Sequence, residues 1–153
     1  MEQETSMEAQ GAAQATHHNA PLTSAESARL WQGNVHYKML RCVFKHFLNT
    51  HADQDLRLPI EEAISMFETR INQTSAMLRE ERRPIPIAFA DRDLELAASR
   101  LFTDLYYYHY ILHLARAGIQ LNSMNLAHTT RADVRNYYTE SVASTMKYYN
   151  RHA

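Results

Sequence analysis

Residues 82–92 read RRPIPIAFADR, and this stretch decides how the helices of the chain can be connected. Proline lacks a backbone N–H and holds the residue before it in an extended conformation, so Pro84 and Pro86 predict an extended link. These 11 residues, when extended, reach about 35 Å, whereas a helix of about 20 residues is about 30 Å long. The link can therefore traverse the whole length of a helical bundle.

Two helices are predicted before the link. The stretch Thr23-Ser24-Ala25-Glu26 matches a capping box and predicts the start of a first helix, which runs to about Asn49. Most of the circumference of this helix is apolar, which indicates that other elements pack against it on more than one side. Its polar residues collect on one narrow face: Asn34, Lys38, Arg41 and Lys45. The second helix starts near Asp55 or Pro59. Its apolar seam advances in steps of four and three residues, which is typical of near-parallel helix packing: Ile60, Ile64, Phe67, Ile71, Thr74 and Leu78.

Two further helices are predicted after the link. The third spans about 93–117, with Asp91 as its N-cap and Gly118 as its stop. Its expected seam consists of apolar and small residues at the same helical spacing: Leu94, Ala98, Leu101, Leu105, Tyr108, Leu112, Ala115 and Ile119. The last helix is expected in two pieces, 121–128 and 132–150. Thr130 and Asp133 resemble a second capping pair between them, which predicts a kink.

These elements predict an all-α fold, a ferritin-like four-helix bundle with a crossover link at 82–92 and a kinked last helix. One long crossover distinguishes ferritin-like connectivity from a simple up-and-down bundle. The 153 residues suit one domain, and 3 Gly and 4 Pro are too few for the turns of a many-stranded β protein. Residues 1–22 have almost no large apolar side chain and are expected to form a disordered tail, followed by the bundle at 23–153.

Charge and composition disfavour several classes of partner. A formal net charge of −1 provides no positive field that would attract nucleic acid or anionic lipid. No apolar run is long enough to span a membrane, and the acidic N-terminus does not resemble a signal peptide. Cys42 is the single cysteine, so no internal disulfide can form. The expected location is cytoplasmic.

Three stretches carry a resemblance to a known family. They are Leu22-Thr23-Ser24-Ala25-Glu26 with Leu30-Trp31, Pro84-Ile85-Pro86 through to Arg100-Leu101-Phe102-Thr103-Asp104, and Gly118-Ile119 through Arg131-Ala132-Asp133-Val134-Arg135 to Tyr148-Tyr149-Asn150. Over residues 22–150 the chain resembles a ferritin-like family of unknown function from spore-forming Bacillales, distantly similar to spore coat F proteins. Members often carry two tandem bundles, and this chain has one. The resemblance implies the fold and a spore association, but no activity.

The chemistry associated with many ferritin-like bundles is absent from the sequence. A carboxylate-bridged di-iron site needs a Glu from each of two helices and a Glu-x-x-His pair from each of the other two. No Asp or Glu of this chain has a histidine three residues later. Di-iron oxidase activity is therefore not expected, and the chain is interpreted as a non-enzyme without a cofactor.

Histidines offer a weaker site for a transition metal. His109 and His113 are one helical turn apart and could supply half of a zinc or copper site, with His36 and His46 as further candidates. The alternative interpretation is that His109 and His113 lie at the rim of the core, hydrogen-bonded to tyrosines or water. Cys42, on the apolar side of the first helix, is expected to be an inert thiol.

Tyrosines are unusually concentrated on the last two helices. Tyrosine is favoured at interfaces, so four of them are candidates for contacts with another molecule: Tyr106, Tyr107, Tyr110 and Tyr137. A single-bundle chain could replace the second bundle of its tandem relatives by forming a homodimer. The leading hypothesis is a non-catalytic, self-associating bundle with a structural or accessory role. The other hypothesis is a small-ligand or transition-metal-binding protein that uses the core histidines.

Overall fold

The computed structural model describes residues 20–153, which form four helices and, within that range, no strand. The helices are α1 (Ser24–Thr50), α2 (Arg57–Glu80), α3 (Asp104–Ala127) and α4 (Ala132–His152), with single 3-10 turns at Gln54–Leu56 and Asp91–Asp93. The tail predicted at 1–22 lies outside the described residues as far as residue 19. Leu22 is buried against the bundle, so the folded part begins at least one residue before the predicted boundary.

The first helix begins with the predicted capping box. Thr23 Oγ1 accepts the Glu26 amide at 3.1 Å, and Glu26 Oε2 accepts the Thr23 amide at 2.9 Å. These bonds satisfy backbone donors that a helix start otherwise leaves unpaired. The capping prediction is confirmed.

Helices α1 and α2 form an antiparallel hairpin with a polar contact inside it. The predicted seam of α2 is buried or partly buried along its length. Asn34, predicted on the polar face of α1, is fully buried instead. Its Nδ2 donates to Ile71 O at 3.2 Å and to the hydroxyls of Thr74 and Ser75 at 3.0 and 2.9 Å. These bonds fix the register of the hairpin.

The segment after α2 is a crossover that follows α1 from its middle to its C-terminal end. Lys38 Nζ donates to Pro86 O at 2.9 Å, Lys45 pairs with Asp91 at 2.7 Å, and Asn49 Nδ2 donates to Leu96 O at 2.7 Å. The polar face of α1 is thus the surface on which the link lies. The chain returns to the end of the bundle where α1 finished, so α2 and α3 run parallel, as the predicted crossover requires.

The crossover is longer than predicted, because α3 starts at Asp104 and not at Asp93. Thr103 caps it by accepting the Tyr106 amide, and Asp104 accepts the amides of Ala52 and Asp53 at the end of α1. With α3 anchored there, a helix through the ten residues 94–103 would project about 15 Å beyond the bundle, where nothing would cover its seam. The seam positions Leu101 and Leu105 are 72% and 67% exposed.

The predicted end of the third helix and the predicted kink are also wrong. Helix α3 continues through Gly118 to Ala127, so residues 121–127 complete α3 and do not start the last helix. Helix α4 is one piece, and its N-cap Arg131 makes no side-chain capping bond. Thr130 and Asp133 do not cap each other, because Thr130 donates to Glu26 and Asp133 pairs with Arg131. A turn between α3 and α4 occupies the position at which the kink was predicted.

Two groups of buried side chains form the core. The larger contains aromatic residues from all four helices, with Phe47 stacked on Tyr107 at 4.2 Å and Phe44 edge-on to Phe67 at 5.1 Å. The smaller lies at the opposite end, around Leu30, Leu78 and Val134. None of the helices within residues 20–153 combines the length and the hydropathy needed to cross a bilayer.

Candidate functional site

A buried arginine lies at the centre of the bundle. Arg70 of α2 is 5% exposed. Its Nη2 donates to Ser141 O at 3.0 Å, Ser144 Oγ at 3.1 Å and Thr145 Oγ1 at 2.6 Å, all on α4. Its Nη1 donates to Tyr37 OH at 3.4 Å, and the guanidinium carbon lies 5.3 Å from the centre of the Tyr37 ring. The cation therefore joins α2 to α1 and α4 through neutral groups alone.

No described residue supplies the charge that would balance Arg70. Within residues 20–153 it makes no ion pair shorter than 4.0 Å, and its Nε–H makes no hydrogen bond. Glu140 lines a shallow groove beside Arg70 but is itself exposed and forms no pair with it. Burying an unpaired charge costs several kcal/mol even after the protein relaxes around it. Arg70 is thus the least expected side chain in the interior.

An apolar cavity of about 250 Å³ adjoins Arg70, walled by all four helices. Its apolar wall includes Leu40, Phe44, Phe67, Ile111, Leu114 and Ala115. The polar side chains at its wall include Arg70, Tyr37, Asn122 and Thr145. Tyr37 OH lies 3.4 Å from Asn122 Nδ2, so these polar groups are linked to one another. The cavity thus has an apolar body and a small polar patch that carries one positive charge.

A groove between α1 and α3 leads toward this cavity. A pocket of about 430 Å³ between the two helices shares four wall residues with the cavity: His36, Tyr37, Leu121 and Asn122. Leu121 is exposed and His36 is half-buried at the place where the two spaces meet. A molecule could therefore reach the interior from this side with little more than side-chain movement.

The four candidate histidines are dispersed. His36 and His46 are ten residues apart on one helix, a separation of about 15 Å, so they cannot share a metal. His109 and His113 are exposed on α3. In residues 20–153 no three His, Cys, Asp or Glu side chains are close enough together to hold a metal ion. The transition-metal site stays a prediction, and it would need ligands in addition to these four histidines.

Burial shifts the pKa values of His36 and Cys42, the two side chains of α1 considered from the sequence as possible sites of chemistry. Burial lowers the pKa of His36. Burial also raises the pKa of the Cys42 thiol, whose Sγ lies 3.5 Å from Ala90 O in the link. A raised pKa keeps the sulfur protonated and weakly nucleophilic at neutral pH, in line with the inert thiol expected from the sequence.

The four candidate interface tyrosines divide into two groups. Tyr107 and Tyr137 are core residues: Tyr107 stacks on Phe47 and bonds to Thr50 Oγ1 at 2.8 Å, and burial raises the pKa of Tyr137 well above its usual value. They are therefore unavailable for contacts with another molecule. Tyr106 is 43% exposed, and Tyr110 is partly buried beside it, with ring centres 6.1 Å apart.

Exposed apolar side chains concentrate around Tyr106. Of the 14 exposed large hydrophobic residues within residues 20–153, eight lie within residues 87–108. Four of them lie where the crossover joins α3, two on each side of its N-cap Thr103. We call them the 101–106 surface: Leu101, Phe102, Leu105 and Tyr106. Phe102 and Tyr106 stack with ring centres 4.1 Å apart. Monomeric proteins rarely expose large apolar patches that have no binding role.

At the opposite end of the bundle, a buried acid joins the start of α1 to the α3–α4 turn. Glu26 accepts hydrogen bonds from Thr23 and from Thr130 and Arg131 in the α3–α4 turn. Burial would raise the pKa of Glu26, but the hydrogen bonds from the backbone amides of Arg131, Thr23 and Thr130 outweigh it and lower the pKa to about 2. Arg131 in turn pairs with Glu81 and Asp133. This cluster is fully engaged in structural contacts.

Comparison with known proteins identifies the family. The model of a family described as a protein of unknown function, DUF3231, matches residues 10–153. The chain belongs to the DUF3231 family. No curated protein is significantly similar to this DUF3231 chain. Its fold is similar to the crystal structure of a candidate spore coat protein from Bacillus halodurans, with a TM-score of 0.80 and 21% identity, covering 89% of this chain and 88% of that one.

The comparisons confirm the family resemblance read from the sequence. The likeness to the Bacillus halodurans protein extends over nearly the whole of both chains, so the two chains are of similar length. At 21% identity the likeness establishes the fold of this DUF3231 chain alone. It does not assign chemistry to the cavity or to the 101–106 surface.

Sequence reasoning missed the residue that dominates the interior. Arg70 lies three residues after Phe67 and four before Thr74, so it occupies the same helical seam as the apolar residues. That spacing was the available signal. It was obscured because a long charged side chain at a seam position normally extends to the surface.

Proposed function

We propose that this DUF3231 protein is a non-catalytic, self-associating ferritin-like bundle with a structural or accessory role in the spore. The crossover between α2 and α3 supports the ferritin-like description, since one long crossover is the connectivity of that class. The family description names no activity, and the likeness to a candidate spore coat protein favours the spore. Among residues 20–153, the side chains that line the cavity include no Asp or Glu, so they offer no carboxylate pair for di-iron oxidase chemistry.

The 101–106 surface is the main observation that supports self-association. Leu101 and Leu105 together would leave water if a second molecule covered them, and each fully buried Leu contributes about 1.5–3 kcal/mol. The surface lies where the crossover meets α3, and Arg100 and Asp104 beside it neutralise each other at 3.0 Å. A patch that is apolar and locally neutral favours a partner of the same kind over a highly charged one.

A second copy of this chain is the partner that the features favour. The family resemblance includes chains with two tandem bundles, in which one bundle is always available to cover the other. A second copy of this bundle would supply an equivalent contact in a two-fold arrangement. A two-fold arrangement would place the 101–106 surface of one copy against the same surface of the next, so that Phe102 and Tyr106 could stack across the axis.

Light scattering across a range of protein concentrations tests this proposal. The wild-type chain is expected to approach twice its mass of 17.8 kDa as concentration rises. Leu101→Ser with Leu105→Ser should hold it at the monomer mass without loss of helix content. The matched control is Met124→Ser with Met146→Ser, which removes two exposed apolar residues elsewhere and should leave the dimer intact.

Two results would count against self-association through this surface. One is a wild-type chain that stays monomeric at high concentration. The other is a dimer that survives the double substitution at Leu101 and Leu105. The spore role has a separate test, detection of the protein with an antibody in purified spores and in growing cells. The proposal expects it in the spore fraction, and its confinement to growing cells would refute that part.

A further inference from the structure

The cavity beside Arg70 has the composition of a ligand site, and its size limits the ligand. A cavity of about 150 Å³ lined by Leu, Ile and Phe admits benzene, which has six non-hydrogen atoms. By proportion, the roughly 250 Å³ here would hold about ten. The apolar wall suits hydrocarbon, and water alone would be poorly bonded along most of it.

Arg70 defines the charge of that ligand. The guanidinium is always ionised, and the acceptors around it on Tyr37, Ser144 and Thr145 are neutral hydroxyls. Its Nε–H makes no hydrogen bond to a described residue, and the Nη1 bond to Tyr37 is long at 3.4 Å. Donor capacity therefore remains for an anion. One negative charge would neutralise the site, whereas a doubly charged phosphate would bury an excess charge in an apolar cavity.

We propose that the bundle interior binds a small apolar monocarboxylate of about ten non-hydrogen atoms. Its carboxylate accepts hydrogen bonds from Arg70, with Tyr37 OH or the Asn122 amide as a second donor. Its hydrocarbon part lies against Phe44 and Ile111. A carboxylate held by a guanidinium forms charge-assisted bonds, which are stronger than neutral ones.

Entry takes place along the groove between α1 and α3. The wall residues that the groove shares with the cavity include Asn122, which is close to the proposed carboxylate position. Helices α1 and α3 belong to different hairpins, so their separation can change without breaking the contacts inside either hairpin. This site lies apart from the 101–106 surface and stands whether or not two copies associate.

Octanoate is a suitable probe because it has ten non-hydrogen atoms and one negative charge, and octanol is its uncharged counterpart. Calorimetric titration of the full chain with octanoate is expected to show saturable binding of one molecule per chain. Arg70→Met should weaken octanoate by about tenfold or more, the loss expected for a charge-assisted hydrogen bond. Octanol should bind more weakly than octanoate to the wild type and be unaffected by Arg70→Met.

A matched variant distinguishes the site from nonspecific attraction. Arg57→Met removes an exposed arginine and changes the net charge equally, so it should leave octanoate affinity unchanged. The proposal is overturned if the wild type does not bind octanoate, or if Arg70→Met binds it as well as the wild type does. It is also overturned if octanol binds equally well.

A second measurement needs no variant and keeps the proposal testable if Arg70→Met fails to fold. In the NMR spectrum of the wild type, octanoate should shift the Arg70 Nε–H resonance and the Asn122 side-chain amide. The amides of residues 101–106 should not move. Shifts confined to residues 101–106 would mean that octanoate binds only the exposed apolar surface, which refutes an interior site.

Discussion

Replacement of Glu26 by glutamine should cost stability in a pH-dependent way. Oε1 accepts the amides of Thr130 and Arg131 at 2.8 and 3.0 Å, and Oε2 accepts the amide of Thr23 at 2.9 Å. A glutamine has one oxygen and one NH2 group, so either orientation points N–H donors at a backbone N–H. At least one buried backbone donor then loses its acceptor, which costs about 1–3 kcal/mol.

The pKa of Glu26 gives the magnitude of the charge effect. Its folded pKa of about 2 lies below the ordinary value of 4.5, and each unit of difference corresponds to about 1.4 kcal/mol. Because the folded pKa is depressed, the stabilisation of about 3 kcal/mol is fully present above pH 4.5 and is lost as pH falls toward 2. About 2 kcal/mol of it should be lost by pH 3.

Urea unfolding followed by circular dichroism from pH 7 to pH 3 measures both effects. Glu26→Gln should lower the free energy of unfolding at pH 7 by about 2–4 kcal/mol, and the deficit should shrink by about 2 kcal/mol at pH 3. Glu61→Gln is the control, since Glu61 is solvent-exposed and its partner among residues 20–153 is Arg57. It should change stability by less than about 0.5 kcal/mol.

Two outcomes would refute this reasoning. The first is a Glu26→Gln protein within about 0.5 kcal/mol of the wild type at pH 7. The second is a deficit of the same size at pH 3 as at pH 7. The second result would mean that the lost stability comes from packing and not from the ionised carboxylate.

Two further predictions concern the end of α2 and metal binding. Arg82 has a φ of 53° in a turn where the Arg83 N–H donates to Leu78 O. Arg82→Gly should therefore raise the free energy of unfolding by about 1 kcal/mol in the same urea assay. A lower free energy of unfolding would contradict this prediction. Protein purified without a chelator or affinity tag should contain no stoichiometric transition metal by elemental analysis, because the candidate histidines are dispersed. A stoichiometric metal lost on His109→Ala would reverse this interpretation.

Local signals in the sequence were sufficient for much of the fold. The capping box at Thr23 and Glu26 involves residues three apart, and the seam of α2 repeats within one helix. Pro84 and Pro86 act on their own backbone, so the extended link needed no tertiary information. These features are visible in a single sequence because each is determined within a few residues.

The missed features depend on contacts between distant parts of the chain. Residues 94–103 contain good helix formers but lie in the crossover, because Asp104 is anchored to Ala52 and Asp53 across the end of the bundle. Such tertiary contacts routinely override helix propensity. Arg70 is buried because α4 supplies acceptors on Ser141 and Thr145 about 70 residues later. No local pattern could indicate those partners.

Hydrogen–deuterium exchange at low and high protein concentration tests the central claim most directly, because it reports where a second copy covers this bundle. The account predicts that amides of residues 101–106 exchange more slowly at high concentration, while those around Met124 do not change. Exchange at residues 101–106 that is independent of concentration, or protection confined to another face, would contradict it.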